Sequence, residues 1–205
     1  MIDLVRNVRV WYEGAKYHVT SRGNRKSSLF LEDEDYKRYL DIIEETKVRF
    51  PFDLHSFCLM TNHTHLQVKT LETPLSTIMS ILNTKYAKYF NKKYELTGHV
   101  FEKRYGAELI NSREYEIDVS KYIHLNPVEA GLSAYPEDYP WSSYRTYIYG
   151  EVHPLIDPKP ILSYFPSPPA QFYQEYMNAL PTDRFFWEDG KILKREGVWF
   201  RCGQE

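Results

Sequence analysis

A chain of 205 residues with 42% hydrophobic and 16% aromatic content can bury one substantial core and a small appendage. No run reaches the roughly 18 apolar residues of a membrane span, the N-terminus carries Asp3, Arg6 and Arg9 where a signal peptide would be apolar, and Cys58 and Cys202 make neither a metal spacing nor a disulfide framework; a cytoplasmic protein with no membrane partner is expected. The net charge of -2 excludes a uniformly basic chain, yet residues 1–31 and 79–105 each sum to +4 (six bases, two acids) and residues 32–45 to -5 (two bases, seven acids), which predicts a basic side set against an acidic one.

In chain order, residues 16–22 alternate, with Tyr17, Val19 and Ser21 on one face and His18, Thr20 and Arg22 on the other, and Gly23-Asn24 ends this first strand. Acids from Asp33 onward favour a helix start, and Tyr36, Tyr39, Leu40 and Ile43 keep helical spacing up to Pro51. Two short apolar runs then flank the polar break Met60-Thr61-Asn62 and read as adjacent strands. Thr73 as cap and Pro74 in the first turn open a long helix whose stripe of Leu75, Ile78, Met79, Leu82, Tyr86, Tyr89 and Phe90 faces a core. Lys85, Lys88 and Lys92 are left toward solvent or phosphate. Gly98 to Ile110 reads as extended, basic and aromatic at Phe101-Glu-Lys-Arg-Tyr105.

Strand, helix, two strands, helix, strand predicts an α+β fold: a ferredoxin-like or RRM-like sandwich, an antiparallel sheet with helices on one face. Asn111-Ser-Arg-Glu114 resembles a capping box and starts a helix through Tyr115, Val119 and Tyr122, expected to stop near Asn126 because Pro127 disfavours a helical residue before it. At i and i+4, Tyr122 and Asn126 share a face. After Gly150 the chain changes character: seven of the twelve prolines lie between Pro154 and Pro181. Residues 1–150 are read as one domain and 151–205 as a Pro-rich, aromatic extension, with a helix over 171–180 and Asp189-Gly190 as a turn between Phe185-Phe-Trp187 and Val198-Trp-Phe200.

Chemistry concentrates in the strand pair. In the second strand His63, His65, Gln67 and Lys69 fall on one face. At i and i+2 the two imidazoles stand roughly 6.5 Å apart at Cα and can converge on one divalent ion at about 2.0–2.1 Å; the same spacing also serves an inert, hydrogen-bonded pair.

The segment Cys58-Leu-Met-Thr-Asn-His-Thr-His-Leu66 resembles the C-x-M-x-N-H-x-H signature of the IS200-like, single-tyrosine transposases, a branch of the HUH endonucleases, and is most similar to the subgroup associated with repetitive extragenic palindromes. Thr64 departs from the usual hydrophobic residue between the histidines. The resemblance continues in order through Tyr17-His-Val-Thr-Ser-Arg-Gly-Asn24, Gly98-His-Val-Phe-Glu-Lys-Arg-Tyr105, Tyr122-Ile-His-Leu-Asn-Pro-Val128 and Tyr139-Pro-Trp-Ser-Ser-Tyr144, covering residues 14–149. It implies the same sandwich fold, with Tyr122 as nucleophile, His63 and His65 as metal ligands and Asn126 as a third, amide ligand; many mobile relatives have Gln there, which reaches further.

The implied activity is a metal-dependent endonuclease and strand transferase on single-stranded or hairpin DNA, acting through a 5′-phosphotyrosine, as monomer or homodimer, with Mg²⁺ or Mn²⁺ ahead of Zn²⁺. Arg22, Lys85, Lys88, Lys92, Lys103 and Arg104 are the candidate DNA contacts. Two rivals stay open: a non-catalytic RRM-like module that grips single-stranded nucleic acid through aromatic stacking and basic residues, and a metal hydrolase that uses water and leaves no adduct. Among 18 tyrosines only Tyr122 has a motif around it; Tyr115 and Tyr144 are the competitors.

Overall fold

The computed structural model describes residues 10–179 and 185–194. Strands β1 (Lys16–Arg22), β2 (Phe52–Met60), β3 (His63–Thr70) and β4 (Gly106–Ile110) form one sheet in the order β2-β3-β1-β4, with every pair antiparallel. Helix α1 (Asp33–Arg49) links β1 to β2, and α2 (Leu75–Lys93) links β3 to β4. This is the expected ferredoxin-like order.

Both crossover helices cover the face carrying Val19, Leu66 and Val68, and Tyr39, Ile42, Ile78, Leu82 and Tyr86 complete the main apolar cluster. Burying side chains of this size stabilises by roughly 1.5–3 kcal/mol each. Helix α2 has Pro74 itself at its N-cap, so Thr73 does not serve as the cap. At α1, Glu32 and Asp35 exchange the two bonds of a capping box. The buried Asp35 carboxylate also accepts from the Leu31 and Glu32 amides (2.8 and 3.2 Å) and from Tyr89, Lys93 and Tyr94 on the far end of α2 (2.9, 2.7 and 2.7 Å). Burial pushes this carboxyl up, but the Lys93 ammonium and the other donors outweigh it and hold it below its usual value.

The sheet's second face is covered as well, where sequence predicts helices on one face only. Almost every residue of β2 is buried, and apolar side chains on both faces of a strand need a partner on both. The cover is α3 (Arg113–Glu129), whose Val119 and Ile123 join Cys58, Met60, Ile110 and Tyr139 in a second cluster. Its N-cap is Ser112, which accepts from the Tyr115 amide at 3.1 Å, rather than Asn111. Short helices α4 (Tyr144–Tyr149), α5 (Lys159–Leu162) and α6 (Pro169–Met177) follow. Leu155, Ile161, Phe165, Tyr173 and Met177 from this Pro-rich stretch enter the main cluster. A two-stranded hairpin, β5 (Phe185–Glu188) and β6 (Lys191–Lys194), turns through Asp189 and Gly190 at positive φ, the two-residue geometry that favours Asp-Gly. Val198–Phe200 and Cys202 lie outside the described residues.

Candidate active site

Strand β3 presents His63 and His65 to the face that α3 covers. Their rings meet edge to face with centroids 4.9 Å apart. His65 is buried, and burial, reinforced by His18, His63 and Arg22, drops its pKa to about 2; burial and Arg22 also lower that of the half-buried His63. Both imidazoles are therefore neutral at pH 7, the form that ligates metal. Each has its Nδ1 engaged. His63 Nδ1 lies 2.7 Å from Asn62 Oδ1, while the Asn62 amide group donates to the Lys26 carbonyl at 3.2 Å. The amide orientation is thereby fixed, so Oδ1 accepts, His63 Nδ1 donates, and His63 Nε2 keeps its lone pair. His65 Nδ1 lies 2.9 Å from His18 Nε2, and His65 Nε2 is buried with no hydrogen-bond partner among the described residues.

Helix α3 brings the tyrosine. With Val119 and Ile123 directed into the second cluster, Tyr122 emerges at the helix edge, 44% exposed, its ring edge-on to His65 (5.3 Å) and His18 (5.7 Å). Tyrosine and histidines thus meet within a single chain. The helix is held down by His124, fully buried between Tyr173 Oη and Ser143 Oγ at 2.7 Å each, and by Glu116, which accepts from Lys16 (2.6 Å) and Tyr164 (3.0 Å) with His55 Nδ1 at 3.3 Å. His55 reaches Glu116 because the register with β3 shifts there, between Leu54 and Ser56.

The helix does not stop near Asn126: it runs through Pro127 to Glu129. Pro127 forgoes the bond to the Ile123 carbonyl, but it is buried, and beyond it the Ala130 and Leu132 amides close back on the Asn126 and Pro127 carbonyls at 2.9 and 2.8 Å, so the helix continues. Asn126 is buried one turn beyond Tyr122, and its Nδ2 donates to the Tyr122 carbonyl at 2.8 Å. Its Oδ1 is the atom with ligand chemistry.

Tyr122 borders a cavity of about 340 Å³ shared with His18, Glu108, Tyr115, Asp118 and Val119. The competing tyrosines are otherwise committed. Tyr115 donates to Glu108 at 2.7 Å, and burial together with that carboxylate pushes its pKa up to about 12; Tyr144 is buried. Among the described residues no group of three His, Cys, Asp or Glu side chains is placed to hold a metal. An ion here would rest on two imidazoles and complete its shell with oxygens such as those of water or phosphate, a donor set that His65 Nε2, unpartnered among the described residues, fits.

Of the candidate DNA contacts, Arg22 is exposed at the end of β1, paired in register with His63. Exposed Lys88, Lys103 and Arg104 line a second cavity of about 750 Å³, between α2 and residues 98–105, together with Asn83, Asn91 and Phe101. Lys92 is exposed one turn beyond Lys88. Lys85 instead pairs with Glu45 of α1 at 2.8 Å, and Lys93 with Glu32 and Asp35 at 2.5 and 2.7 Å. The acidic and basic segments therefore do not stand on opposite sides: α1 packs beside α2, and part of the charge is neutralised between them. Sequence reasoning missed His18 and Asn62. The alternation of β1 put His18 on the face of Arg22, but only the pairing of β1 with β3 sets it beside His65.

A family model described as transposase IS200 like matches residues 12–126. A curated Haemophilus influenzae protein, named a REP-associated tyrosine transposase, is 24% identical over 158 residues, which cover 71% of this chain and 89% of that protein. The solved structure of a REP-associated tyrosine transposase bound to a REP hairpin matches with a TM-score of 0.61 and 19% identity, over 73% of this chain and 88% of that one. With the family model spanning more than half of the sequence, the chain belongs to the IS200-like, single-tyrosine transposases, enzymes that break and rejoin DNA by transesterification.

Proposed function

We propose that the protein cuts and transfers single-stranded DNA at hairpin-forming sites, with Tyr122 as nucleophile and a divalent ion, Mg²⁺ or Mn²⁺, held by His63, His65 and Asn126. The observation that carries this reading is an exposed tyrosine in ring contact with a neutral, buried imidazole whose second nitrogen has no partner among the described residues. In the reaction, Tyr122 Oη bonds to phosphorus as the bond to the 3′ oxygen breaks. The phenolic proton is lost, the departing 3′ oxygen gains one, and a 5′-phosphotyrosine conserves the phosphodiester for resealing. The bound ion would polarise a phosphate oxygen and offset the charge developing there. Arg22, beside His63 in the sheet, supplies a fixed positive charge at the same edge.

Lys88, Lys92, Lys103 and Arg104 are proposed as phosphate contacts around the larger cavity, where Phe101 offers a stacking surface that unpaired bases can use and a duplex cannot. Lys85 is the weakest of the proposed contacts, because binding phosphate would cost it the pair with Glu45. Tyr122 and both imidazoles come from one chain, so a monomer would hold a complete site. The H. influenzae relative and the hairpin-bound structure support the choice of substrate.

The test is a hairpin oligonucleotide labelled 3′ to the cut, incubated with protein and Mg²⁺ or Mn²⁺ and run on a denaturing gel. The proposal expects a labelled species at the mass of protein plus DNA that maps to Tyr122. Cleavage without an adduct would favour a water-using hydrolase, and tight binding without cleavage the RRM-like module.

A further inference from the structure

We infer that His18 is a positioning residue for His65: its Nε2 accepts the Nδ1 proton of His65 and so leaves the Nε2 lone pair of His65 free to ligate. This rests on the metal reading above and names a part of the site that neither the family motif nor the sequence pattern assigned.

The geometry restricts the choices. The two rings lie nearly coplanar and edge to edge, 20° between planes and 5.2 Å between centroids, with His18 Nε2 and His65 Nδ1 2.9 Å apart, so a proton on either nitrogen points at the other. Two facing nitrogens at that distance share one proton. Were the proton on His18 Nε2, the neutral ring of His65 would carry its own proton on Nε2. A buried N–H would then point at the ion site with no acceptor among the described residues, leaving a desolvated donor unmatched. Were it on His65 Nδ1, the hydrogen bond would be satisfied and the bare nitrogen would face the site. Only the second arrangement can bind a cation.

His63 reaches the same protonation pattern through a different partner, the Asn62 amide fixed by the Lys26 carbonyl. The two ligands thus have separate anchors, one within the β2–β3 turn and one on β1. The β1 anchor is itself placed by strand register: Thr20 pairs with His65 and His18 with Gln67, so His18 leans diagonally across one residue pair, a reach that a ring side chain spans on the same face of a sheet. His18 also touches the Tyr122 ring, so one side chain contacts both the proposed nucleophile and a proposed ligand.

Three variants and one spectrum test it. His18→Phe keeps a ring in contact with Tyr122 and His65 but offers no acceptor; His18→Gln loses the ring and offers a carbonyl oxygen; His63→Ala removes a proposed ligand. Mn²⁺ affinity, followed by the loss of the free-ion electron paramagnetic resonance signal without DNA, should weaken about 10- to 100-fold in His18→Phe, the usual consequence of losing a ligand's outer partner, and recover to within a few-fold of wild type in His18→Gln. An unchanged affinity in His18→Phe, or equal losses in Phe and Gln, would overturn the inference. Long-range ¹H–¹⁵N spectra of the wild-type, metal-free protein should show His65 protonated on Nδ1. Protonation on Nε2 would overturn the inference even if a variant failed to fold. Failure of the metal reading looks different: wild type and His63→Ala would then take up Mn²⁺ equally poorly, whatever the tautomer of His65.

Discussion

Acidification should loosen the helix that carries Tyr122, through His124. Its ring is fully buried and hydrogen-bonded at both nitrogens, to Tyr173 and Ser143, and burial lowers its pKa to about 3. In the unfolded chain the same ring titrates near 6.5. The unfolded state therefore binds a proton that the folded state refuses, so this contribution to stability is complete above 6.5, begins to be lost as pH falls below it, and goes on falling until about 3. From pH 7 to 5 the loss integrates to about 2 kcal/mol for this ring alone. Urea unfolding of wild type and His124→Gln at both pH values isolates it, because Gln can bond both hydroxyls and does not titrate, while the other groups cancel in the difference. Wild type should lose about 2 kcal/mol more than the variant over this interval. Equal losses would mean that the ring is already protonated, or solvated, in the folded protein.

Tyr122→Phe removes one oxygen from a half-exposed ring, so stability should stay within about 0.5 kcal/mol and hairpin affinity near wild type, while cleavage falls to background; retained cleavage would transfer the nucleophile's role elsewhere. His63→Ala, His65→Ala and chelation by EDTA should each abolish cleavage without unfolding the sheet, as read by circular dichroism together with the oligonucleotide gel. Activity that survives all three would leave the histidines structural. Lys88→Ala with Lys103→Ala should weaken binding to every single-stranded sequence alike and flatten the slope of log affinity against log salt by about 0.7 for each phosphate that is no longer neutralised. Lys85→Ala should change that slope less, since Glu45 already neutralises it.

Much of the sheet and of the histidine pair was legible because strand alternation is local: which face His63 and His65 share follows from their numbers alone. Tyr122 and Asn126 were legible as helix neighbours for the same reason. What failed was everything set by packing between distant segments. The period of α3 shows an apolar stripe but not which face of the sheet it will cover, and only the two-sided burial of β2 called for a cover on the second face. The acidic run over 32–45 looked like one side of the molecule. It lies on α1, which packs beside α2, and Glu45 and Glu32 reach across to Lys85 and Lys93. Pro127 suggested a helix end because the restriction that its ring places on the residue before it is a local fact, whereas its burial and the returning amides of Ala130 and Leu132 are not. His18 had no visible partner because its partner is 47 residues away.

The Asp35 carboxylate has a kinetic consequence. Five donors converge on it, two from Leu31 and Glu32 just before α1 and three from Tyr89, Lys93 and Tyr94 at the C-terminal end of α2. An excursion that frees either end leaves the buried Asp35 carboxylate short of several donors at once, so the two helix ends are coupled through it. In deuterium exchange, amides in the first turn of α1 and the last turn of α2 would share one opening event despite lying more than 50 residues apart in the chain. Asn91 lies in that same last stretch of α2, bonded to the Gly98 carbonyl at the rim of the larger cavity. The rigidity of that rim is thus set on the other side of α2, by an acid that does not line the cavity.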